Sequence, residues 1–241
     1  MYIFYNRSGK NILCVAKKFV LKLPTNINSY KNLLKNKNNI IEAKKDLHFH
    51  NYTPSSFYLF FIEWTKKYDE SYLNRKSQFI QKYKKKFLYL KNKNKNVKII
   101  KCKFFQNFLT LCKYKNIRNK ITLKFFNKTI ILSACHGDFY YKNILKSEGN
   151  YVFIDWDKYE KNASIYFDFI NYDIFSKELY KGNWYKVWKR NYKQFQKNYP
   201  KIYLDLYVIW KISSEAQTQK NTISFLNKVN SIASDYVKLQ N

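Results

Sequence analysis

The chain has 241 residues, of which 46% are apolar and 20% aromatic, and this is enough to bury a sizeable core, which excludes a disordered tail. Lysine and arginine outnumber aspartate and glutamate by 46 to 16, which gives a formal net charge of +30. The basic residues are spread along the chain without an RNP signature, zinc-finger spacing or a basic region with heptads, and this argues against a dedicated nucleic-acid-binding module.

The N-terminal part, residues 1–65, predicts a small lobe rich in β-structure. Short apolar runs alternate with turn residues such as those at 6–10, which is the pattern of strands joined by hairpins. Pro24 is expected to stop the third strand, because proline has no donor for the ladder. In chain order, the predicted elements are strands over 2–5, 12–16 and 19–23, a helix over 29–47 and a buried strand over 57–64.

The remaining residues, 66–241, predict a mainly helical lobe with small hairpins. The predicted elements are helices over 70–90 and 98–115, hairpins over 121–134 and 144–154, and helices over 165–240 with a break at Pro200. Strands and a helix followed by a mainly helical part indicate an α+β fold with two lobes. The boundary between the two predicted lobes lies just after Trp64.

One segment has the spacing that ATP-dependent phosphotransferases use. Phosphoryl transfer needs a carboxylate that orients the attacking hydroxyl, and metal ligands that hold the phosphates. His136, Asp138 and Asn143 form the pattern H-x-D-x-x-x-x-N, and Asp155 ends the apolar run 151–154. A hairpin between Asn143 and Asp155 would bring both side chains to one end of a site.

The distribution of acidic residues supports the same segment. Five of the nine aspartates lie within 36 residues of this basic chain, namely Asp138, Asp155, Asp157, Asp168 and Asp173. Such clustering is typical of a cation site. The alternative is that Asp138 caps a turn while Asp155 and Asp157 lie on a surface loop.

Residues 132–175 resemble the aminoglycoside phosphotransferase and choline kinase family, which belongs to the protein-kinase-like superfamily. Its members carry HGD-x4-N, then a hydrophobic strand ending in D-W-E or D-W-D, then a further Asp in an aromatic or small-residue context, here Asp168. The resemblance implies a two-lobed kinase-like fold with a small β-rich N-lobe, and ATP and Mg²⁺ as cofactors. It implies nucleotide binding in the lobe 1–65, and catalysis and substrate binding in the lobe 66–241. It also implies that His136 is a structural hydrogen-bonding residue and that Asp168 anchors the catalytic loop.

The resemblance further assigns the site residues. It implies Asp138 as the catalytic base. It implies Asn143, Asp155 and Asp157 as the ligands of magnesium, with Asp157 serving the second metal or the substrate.

The resemblance also implies nucleotide-binding residues near the N-terminus. Lys22 lies on the predicted third strand, where the family has a lysine that pairs with a glutamate of the following helix. Glu42 is the only carboxylate in residues 1–45 and lies in that helix. Ser8 and Gly9 lie in a basic turn whose backbone amides would cover the phosphates.

Two departures from protein kinases indicate a small-molecule kinase. Gly137, and not arginine, precedes Asp138, and no A-P-E element follows Asp155. We therefore predict transfer from ATP to a hydroxyl of a sugar, an amino-alcohol or a glycan or lipid precursor. A polycationic aminoglycoside is disfavoured, because residues 174–241 offer few carboxylates against many lysines.

Alternatives remain open for the activity and for the charge. The alternatives to an active small-molecule kinase are a catalytically weak pseudokinase and a basic nucleic-acid-binding protein on a kinase-like fold. The net charge is either compositional, which we favour because lysine accompanies asparagine, isoleucine and aromatic residues throughout, or functional. No specific nucleic acid is expected as a partner, and a peripheral contact with an anionic membrane is left open. Four aromatic residues either stack on the acceptor or pack in the core, namely Trp184, Trp188, Tyr207 and Trp210.

The cysteines and the N-terminal sequence favour the cytoplasm. Cys14, Cys102, Cys112 and Cys135 include no C-x-x-C pair and no metal-ligand spacing, as expected of reduced, buried thiols. The first residues lack the charged leader and long apolar region of a signal peptide, and the longest apolar run is too short to cross a membrane.

Overall fold

The computed structural model of the chain describes residues 2–5, 11–59, 62–66, 68, 78–89, 96–147, 150–177, 183–218 and 223–239. The chain forms two compact units. Unit 1 comprises Met1–Tyr83 and His136–Lys161, and unit 2 comprises Lys84–Cys135 and Asn162–Asn241. Unit 1 includes the segment from His136. The lobes 1–65 and 66–241, which follow the order of predicted strands and helices, stay a prediction.

Unit 1 contains an antiparallel sheet of five strands in the order β1-β2-β3-β5-β4. The strands are β1 (Tyr2–Tyr5), β2 (Asn11–Val15), β3 (Phe19–Pro24), β4 (Ser56–Leu59) and β5 (Ile62–Lys66). The three N-terminal strands confirm the predicted hairpin pattern. Pro24 is the last residue of β3, opposite Asn11.

The single strand predicted over 57–64 is wrong, because this segment belongs to a hairpin. Leu59 of β4 pairs with Ile62 of β5, so only two residues connect the strands. The continuous apolar run gave no sign that it divides into two strands, since it contains neither glycine nor proline. As a consequence β5 lies beside β3, and Glu63 is directly opposite Lys22.

Helix α1 (Ile27–Lys45) confirms the helix predicted over 29–47. Asn26 caps its N-terminus by accepting a hydrogen bond from the Ser29 backbone N–H at 3.0 Å. Its buried residues include Leu33, Asn36 and Ile40, spaced three and four apart as one face of a helix requires. The buried face of α1 thus includes a polar residue, Asn36.

The hairpin predicted over 144–154 is confirmed and carries the motif. It consists of β9 (Ile144–Ser147) and β10 (Asn150–Phe153), with Phe153 opposite Ile144. Just beyond the paired strands, the Ile154 N–H donates to the Asn143 carbonyl at 3.0 Å. The hairpin therefore returns the chain to Asn143 at Ile154, and Asp155, twelve residues after Asn143, follows there.

An aromatic cluster supports this hairpin inside unit 1. Tyr52 stacks on Phe153 with ring centroids 4.7 Å apart. Phe49 contacts Trp156 edge-on at 5.2 Å, and Phe139 contacts Phe153 edge-on at 5.0 Å. Such pairs contribute about 1 kcal/mol each beyond the area that they bury. The residues that flank the motif are thus fixed by packing.

The other elements, most of them in unit 2, are mainly helical. In chain order they are α2 (Gln78–Tyr89), β6 (Asn96–Lys98), α3 (Lys103–Leu111), α4 (Lys115–Phe125), β7 (Thr129–Ile131), β8 (Ser133–Cys135), β11 (Glu160–Ala163), α5 (Ile165–Phe175), α6 (Trp184–Gln196), α7 (Lys201–Thr218) and α8 (Ile223–Leu239). Helix α7 begins directly after Pro200, which confirms the predicted break. Among the described residues, none of these helices has both the length and the apolar character to cross a bilayer.

Two local predictions for residues 98–134 are wrong. The helix predicted over 98–115 is split into α3 and α4. The hairpin predicted over 121–134 does not form, since Ile121 and Phe125 are buried on one face of α4 and β7 pairs with β6 instead. The β-rich composition of this stretch was outweighed by tertiary burial at helical spacing.

Candidate active site

The catalytic loop begins at the buried residue His136. Its Nδ1 accepts a hydrogen bond from the Asp138 backbone N–H at 3.4 Å, and its Nε2 lies 3.0 Å from the Ile154 carbonyl oxygen. Burial lowers the pKa of His136 to about 4, so the ring is neutral at physiological pH. A neutral imidazole with these two partners joins the catalytic loop to the end of the hairpin, as expected of a structural residue.

Gly137 is required by the close approach of another segment. Its φ is +84°, and a Cβ atom at this position would lie 2.0 Å from the Lys158 carbonyl oxygen. No side chain fits there. The glycine that distinguishes this motif from that of protein kinases therefore allows the loop after Asp157 to pack against the catalytic loop.

Asn143, a predicted metal ligand, is hydrogen-bonded to Asp138. Its side-chain NH₂ donates to the Asp138 carbonyl oxygen at 2.9 Å and lies 3.4 Å from the Asp138 Oδ2. Asn143 also lines the cavity, and because its NH₂ group contacts Asp138, its amide oxygen is the atom that could bind a metal there.

Asp155 follows in an unusual backbone conformation, with φ at +65°. Although the residue is exposed on one side, protein atoms crowd its carboxyl group, and this burial together with the charges of Asp157 and Asp138 raises its pKa to about 6. A carboxylate whose ionisation is disfavoured by burial and by two neighbouring carboxylates lies in a site that favours a cation.

The predicted ligands share one cavity in unit 1. Its volume is about 300 Å³, and its lining includes Lys22 from β3 together with Asn143, Asp155 and Asp157. The remaining lining residues are Asn11, Leu13, Asn32, Leu33, Asn36 and Ile154. Oxygen ligands and an ammonium group thus meet in a concave space, as binding of metal and phosphate requires.

Lys22 has a different partner from the one predicted. Its Nζ lies 3.5 Å from the Oε2 of Glu63 on the adjacent strand. Glu42 instead pairs with Lys45 at 2.8 Å and with Lys161 at 3.5 Å. The hydrogen bond and charge of Lys45 lower the pKa of Glu42, as in an ordinary exposed ion pair.

The expected Lys22–Glu42 pair is therefore wrong, for a geometric reason. Glu42 lies six residues after Asn36, which lines the cavity, and so it points about 240° further around the helix. The predicted phosphate-covering residues Ser8 and Gly9 lie outside the described residues.

No family model matches the sequence, and no curated protein matches it. Solved structures do match. Choline kinase LicA from Streptococcus pneumoniae is 13% identical with a TM-score of 0.57, and the match covers 99% of this chain and 94% of that chain. The ADP-bound aminoglycoside phosphotransferase APH(2'')-Ib is 13% identical with a TM-score of 0.56, over 99% and 92% of the two chains. The amicoumacin kinase hAmiN, solved with AMP-PNP, Ca²⁺ and Ami, is 8% identical with a TM-score of 0.52, over 98% and 90%.

The chain has the kinase-like fold of the aminoglycoside phosphotransferases and choline kinases. This confirms the α+β fold class and the resemblance that residues 132–175 suggested. The structural neighbours are small-molecule kinases.

Sequence analysis missed residues that the kinase-like fold brings to the site. Asn36 accepts a hydrogen bond from the Trp156 N–H at 2.9 Å, and Asn39 donates to the Trp156 carbonyl at 2.6 Å. Helix α1 thereby holds both backbone groups of the residue between Asp155 and Asp157. In a chain so rich in asparagine, sequence alone did not distinguish these two from the others.

Lys158 is a further residue that sequence analysis missed. Its Nζ lies 3.5 Å from the Asp138 Oδ1. Burial alone would lower the pKa of Lys158, but the charges of Asp138, Asp157 and Asp155 raise it above its ordinary value. Its ammonium group is thus held among the three carboxylates. The available signal was its position directly after the D-W-D motif.

The four candidate acceptor aromatics belong to the core of unit 2. Trp184, Trp188, Tyr207 and Trp210 are at most 3% exposed. Trp210 stacks on Phe167 with centroids 5.0 Å apart. Their burial supports the packing alternative, and we assign them no role in acceptor binding.

Proposed function

We propose that this protein is a phosphotransferase that transfers the γ-phosphoryl group of ATP to a hydroxyl of a small molecule. The observation that carries the proposal is the convergence of Lys22, Asn143, Asp155 and Asp157 on one cavity, with Asn143 also bound to Asp138. A site of this kind offers a cation for the phosphates, oxygen ligands for a metal and a carboxylate for the acceptor.

The donor set fits a magnesium ion. Asp155 and Asp157 supply carboxylate oxygens and Asn143 an amide oxygen, which are the hard ligands that Mg²⁺ prefers. Burial and the charges of Asp157 and Asp138 raise the pKa of Asp155, and a bound cation would balance that negative charge. A bound Mg²⁺ would neutralise charge on the β- and γ-phosphates. The positive charge of Lys22 would hold the phosphates from the strand side, and the amides of Ser8 and Gly9 are proposed to cover them.

Asp138 is proposed as the catalytic base. The acceptor oxygen forms a bond to the γ-phosphorus while the bond to the bridging oxygen of ADP breaks, and the hydroxyl proton passes to the Asp138 carboxylate. Asn143 holds the loop of Asp138 in place through its two contacts. ADP and the phosphorylated acceptor are the products.

The acceptor is proposed to be a sugar, an amino-alcohol or a glycan or lipid precursor, and not a polycationic aminoglycoside. The ammonium group of Lys158 beside Asp138 supports this, because a polycationic aminoglycoside would meet positive charge at the point of attack. The cytoplasm, which supplies ATP and keeps buried thiols such as Cys102 reduced, is the proposed compartment. A peripheral contact with an anionic membrane stays compatible with a lipid precursor.

The proposal is tested by turnover assays with the purified protein. ADP formation with ATP and Mg²⁺ is measured over sugars, amino-alcohols, lipid-headgroup precursors and aminoglycosides. We expect acceptor-dependent ADP formation with a member of the first three classes. Robust turnover with aminoglycosides alone would overturn the acceptor class, and equal turnover by Asp138→Asn would overturn the mechanism.

One observation favours a second candidate, a pseudokinase that binds nucleotide without transfer. The ion pair between Lys158 and Asp138 engages the proposed base. If it blocks catalysis, Lys158→Met will gain acceptor-dependent turnover that the wild type lacks. If the wild type turns over and Lys158→Met is slower, the ion pair belongs to the active enzyme and the pseudokinase alternative is excluded.

A further inference from the structure

Lys22, which lines the cavity, forms its ion pair with a residue of an adjacent strand and not with the predicted helix residue. Glu63 faces Lys22 across two paired strands, β5 and β3, with the residues in direct register. Glu63 is only 2% exposed. A carboxylate buried to this extent is costly unless a cation or hydrogen bonds compensate its charge.

The two oxygens of Glu63 have different surroundings. The Thr65 hydroxyl donates to Oε1 at 3.2 Å. Oε2 has no hydrogen-bond partner within the part of the chain that the structure describes, and the ammonium group of Lys22 lies 3.5 Å from it. Burial, the charge of Glu63 and a hydrogen bond to Glu63 raise the pKa of Tyr58, which is directly opposite on β4. Glu63 therefore lies between the Tyr58 hydroxyl and Lys22, and Lys22 brings a cation to it.

Helix α1 presents amides to the same cavity. Asn32 and Asn36 line it, and Asn36 and Asn39 bind the backbone of Trp156. The helix is thus joined to the loop of Asp155 by neutral hydrogen bonds, while its one carboxylate, Glu42, forms ion pairs elsewhere.

We propose that Glu63 on β5, and not a helix carboxylate, is the positioning residue that holds Lys22 in place for the nucleotide phosphates. The two members of the pair then belong to one sheet, so their distance does not depend on where the helix lies. The role in nucleotide binding rests on the function proposed above, whereas the pair itself can be tested without nucleotide.

The first test measures binding of a fluorescent ATP analogue, mant-ATP, with Mg²⁺. We expect Glu63→Gln to weaken binding roughly tenfold, comparable to the loss of one charge-assisted hydrogen bond. Glu42→Gln is the matched control, with the same chemical change on the helix, and should bind within about twofold of the wild type. In the Lys22→Met background, Glu63→Gln should cause no further loss, since Glu63 acts through Lys22.

The second test uses thermal unfolding without nucleotide. Lys22→Met leaves Glu63 buried without its cation, and we expect the unfolding midpoint to fall by about 4 °C. Adding Glu63→Gln to this variant should recover most of the loss, whereas adding Glu42→Gln should recover none.

The outcomes separate this inference from the proposed function. Absence of mant-ATP binding by the wild-type protein would overturn the proposed function. Even then, recovery of the unfolding midpoint when Glu63→Gln is added to Lys22→Met would support the ion pair between Lys22 and Glu63. Wild-type binding that Glu42→Gln weakens and Glu63→Gln does not, or an unfolding cycle in which Glu63→Gln recovers nothing, overturns the inference.

Discussion

The carboxylates of unit 1 and unit 2 differ in how their charge is balanced. In unit 2, Asp205 accepts from Lys124 and Lys201, both at 2.9 Å, and from the Tyr192 hydroxyl. In the same unit, Asp173 accepts from Lys84 at 2.9 Å and from the Tyr199 hydroxyl. Each of these carboxylates is surrounded by donors, as expected of a group that stabilises the fold.

In unit 1 the carboxylates crowd one another instead. Burial and the neighbouring charges of Asp157 and Asp138 raise the pKa of Asp155 to about 6. Asp138, Asp155 and Asp157 share the ammonium group of Lys158, while asparagine side chains bind Asp138 and the backbone of Trp156. Carboxylates that share a cation and crowd one another indicate a site that recruits a further cation, whereas a carboxylate surrounded by several donors of its own indicates a structural role.

The largest expected effect is a loss of turnover when the proposed catalytic base in unit 1 is replaced. Asp138→Asn removes the proton acceptor but keeps the shape of the side chain, so turnover should fall roughly 10³-fold while nucleotide affinity stays near the wild-type value. Steady-state ADP formation and mant-ATP titration measure the two. Turnover at the wild-type level would show that this carboxylate is not the base.

The next effect concerns the cation. Asp155→Ala should weaken Mg²⁺-dependent nucleotide binding by at least about 100-fold, because it removes a proposed metal ligand. Binding is measured with and without Mg²⁺. Asp235→Asn, which alters an exposed ion pair with Lys189 in unit 2, is the control and should change neither value. Unchanged Mg²⁺ dependence in Asp155→Ala would remove it from the metal site.

A substitution in unit 2 should affect stability and not binding. Asp205→Ala leaves Lys124, a half-buried lysine, without its carboxylate, and we expect a loss of about 4 kcal/mol in the free energy of unfolding. Urea denaturation measures the loss, and mant-ATP affinity below the transition should remain. A loss of affinity with little loss of stability would contradict the division between the two kinds of carboxylate.

The smallest effect concerns the pH dependence of unit 1. The pKa of His136 is about 4 in the folded protein and about 6.5 when unfolded. The neutral ring therefore contributes stability above pH 6.5 that is lost as the pH falls towards 4, up to about 3 kcal/mol.

His136→Gln isolates this contribution. The stability advantage of the wild type over the variant should shrink by that amount between pH 7 and pH 4, as measured by urea denaturation at each pH. The opposite contribution of Asp155 is common to both proteins and cancels in the difference. A difference that does not change with pH would show that His136 is not held neutral by burial.

Much of the site followed from the sequence because it is local. The spacing of Asp138 and Asn143 and the hairpin that ends at Asp155 involve residues near each other in the chain, where turn and strand preferences decide the geometry. The predicted metal ligands accordingly line one cavity. The strand predicted from composition around Ile121 and Phe125 was wrong, because these residues are buried on one face of helix α4.

What the sequence determined by itself is the motif, the order of most elements and, through the resemblance, the kinase-like fold. Only the tertiary structure decided which carboxylate faces Lys22, because this depends on β5 pairing with β3 some forty residues away in the chain. It also decided that Lys158 reaches Asp138 and that the four candidate aromatics of unit 2 are core residues. Long-range pairing and burial depend on the whole chain, whereas a motif depends only on its own spacing.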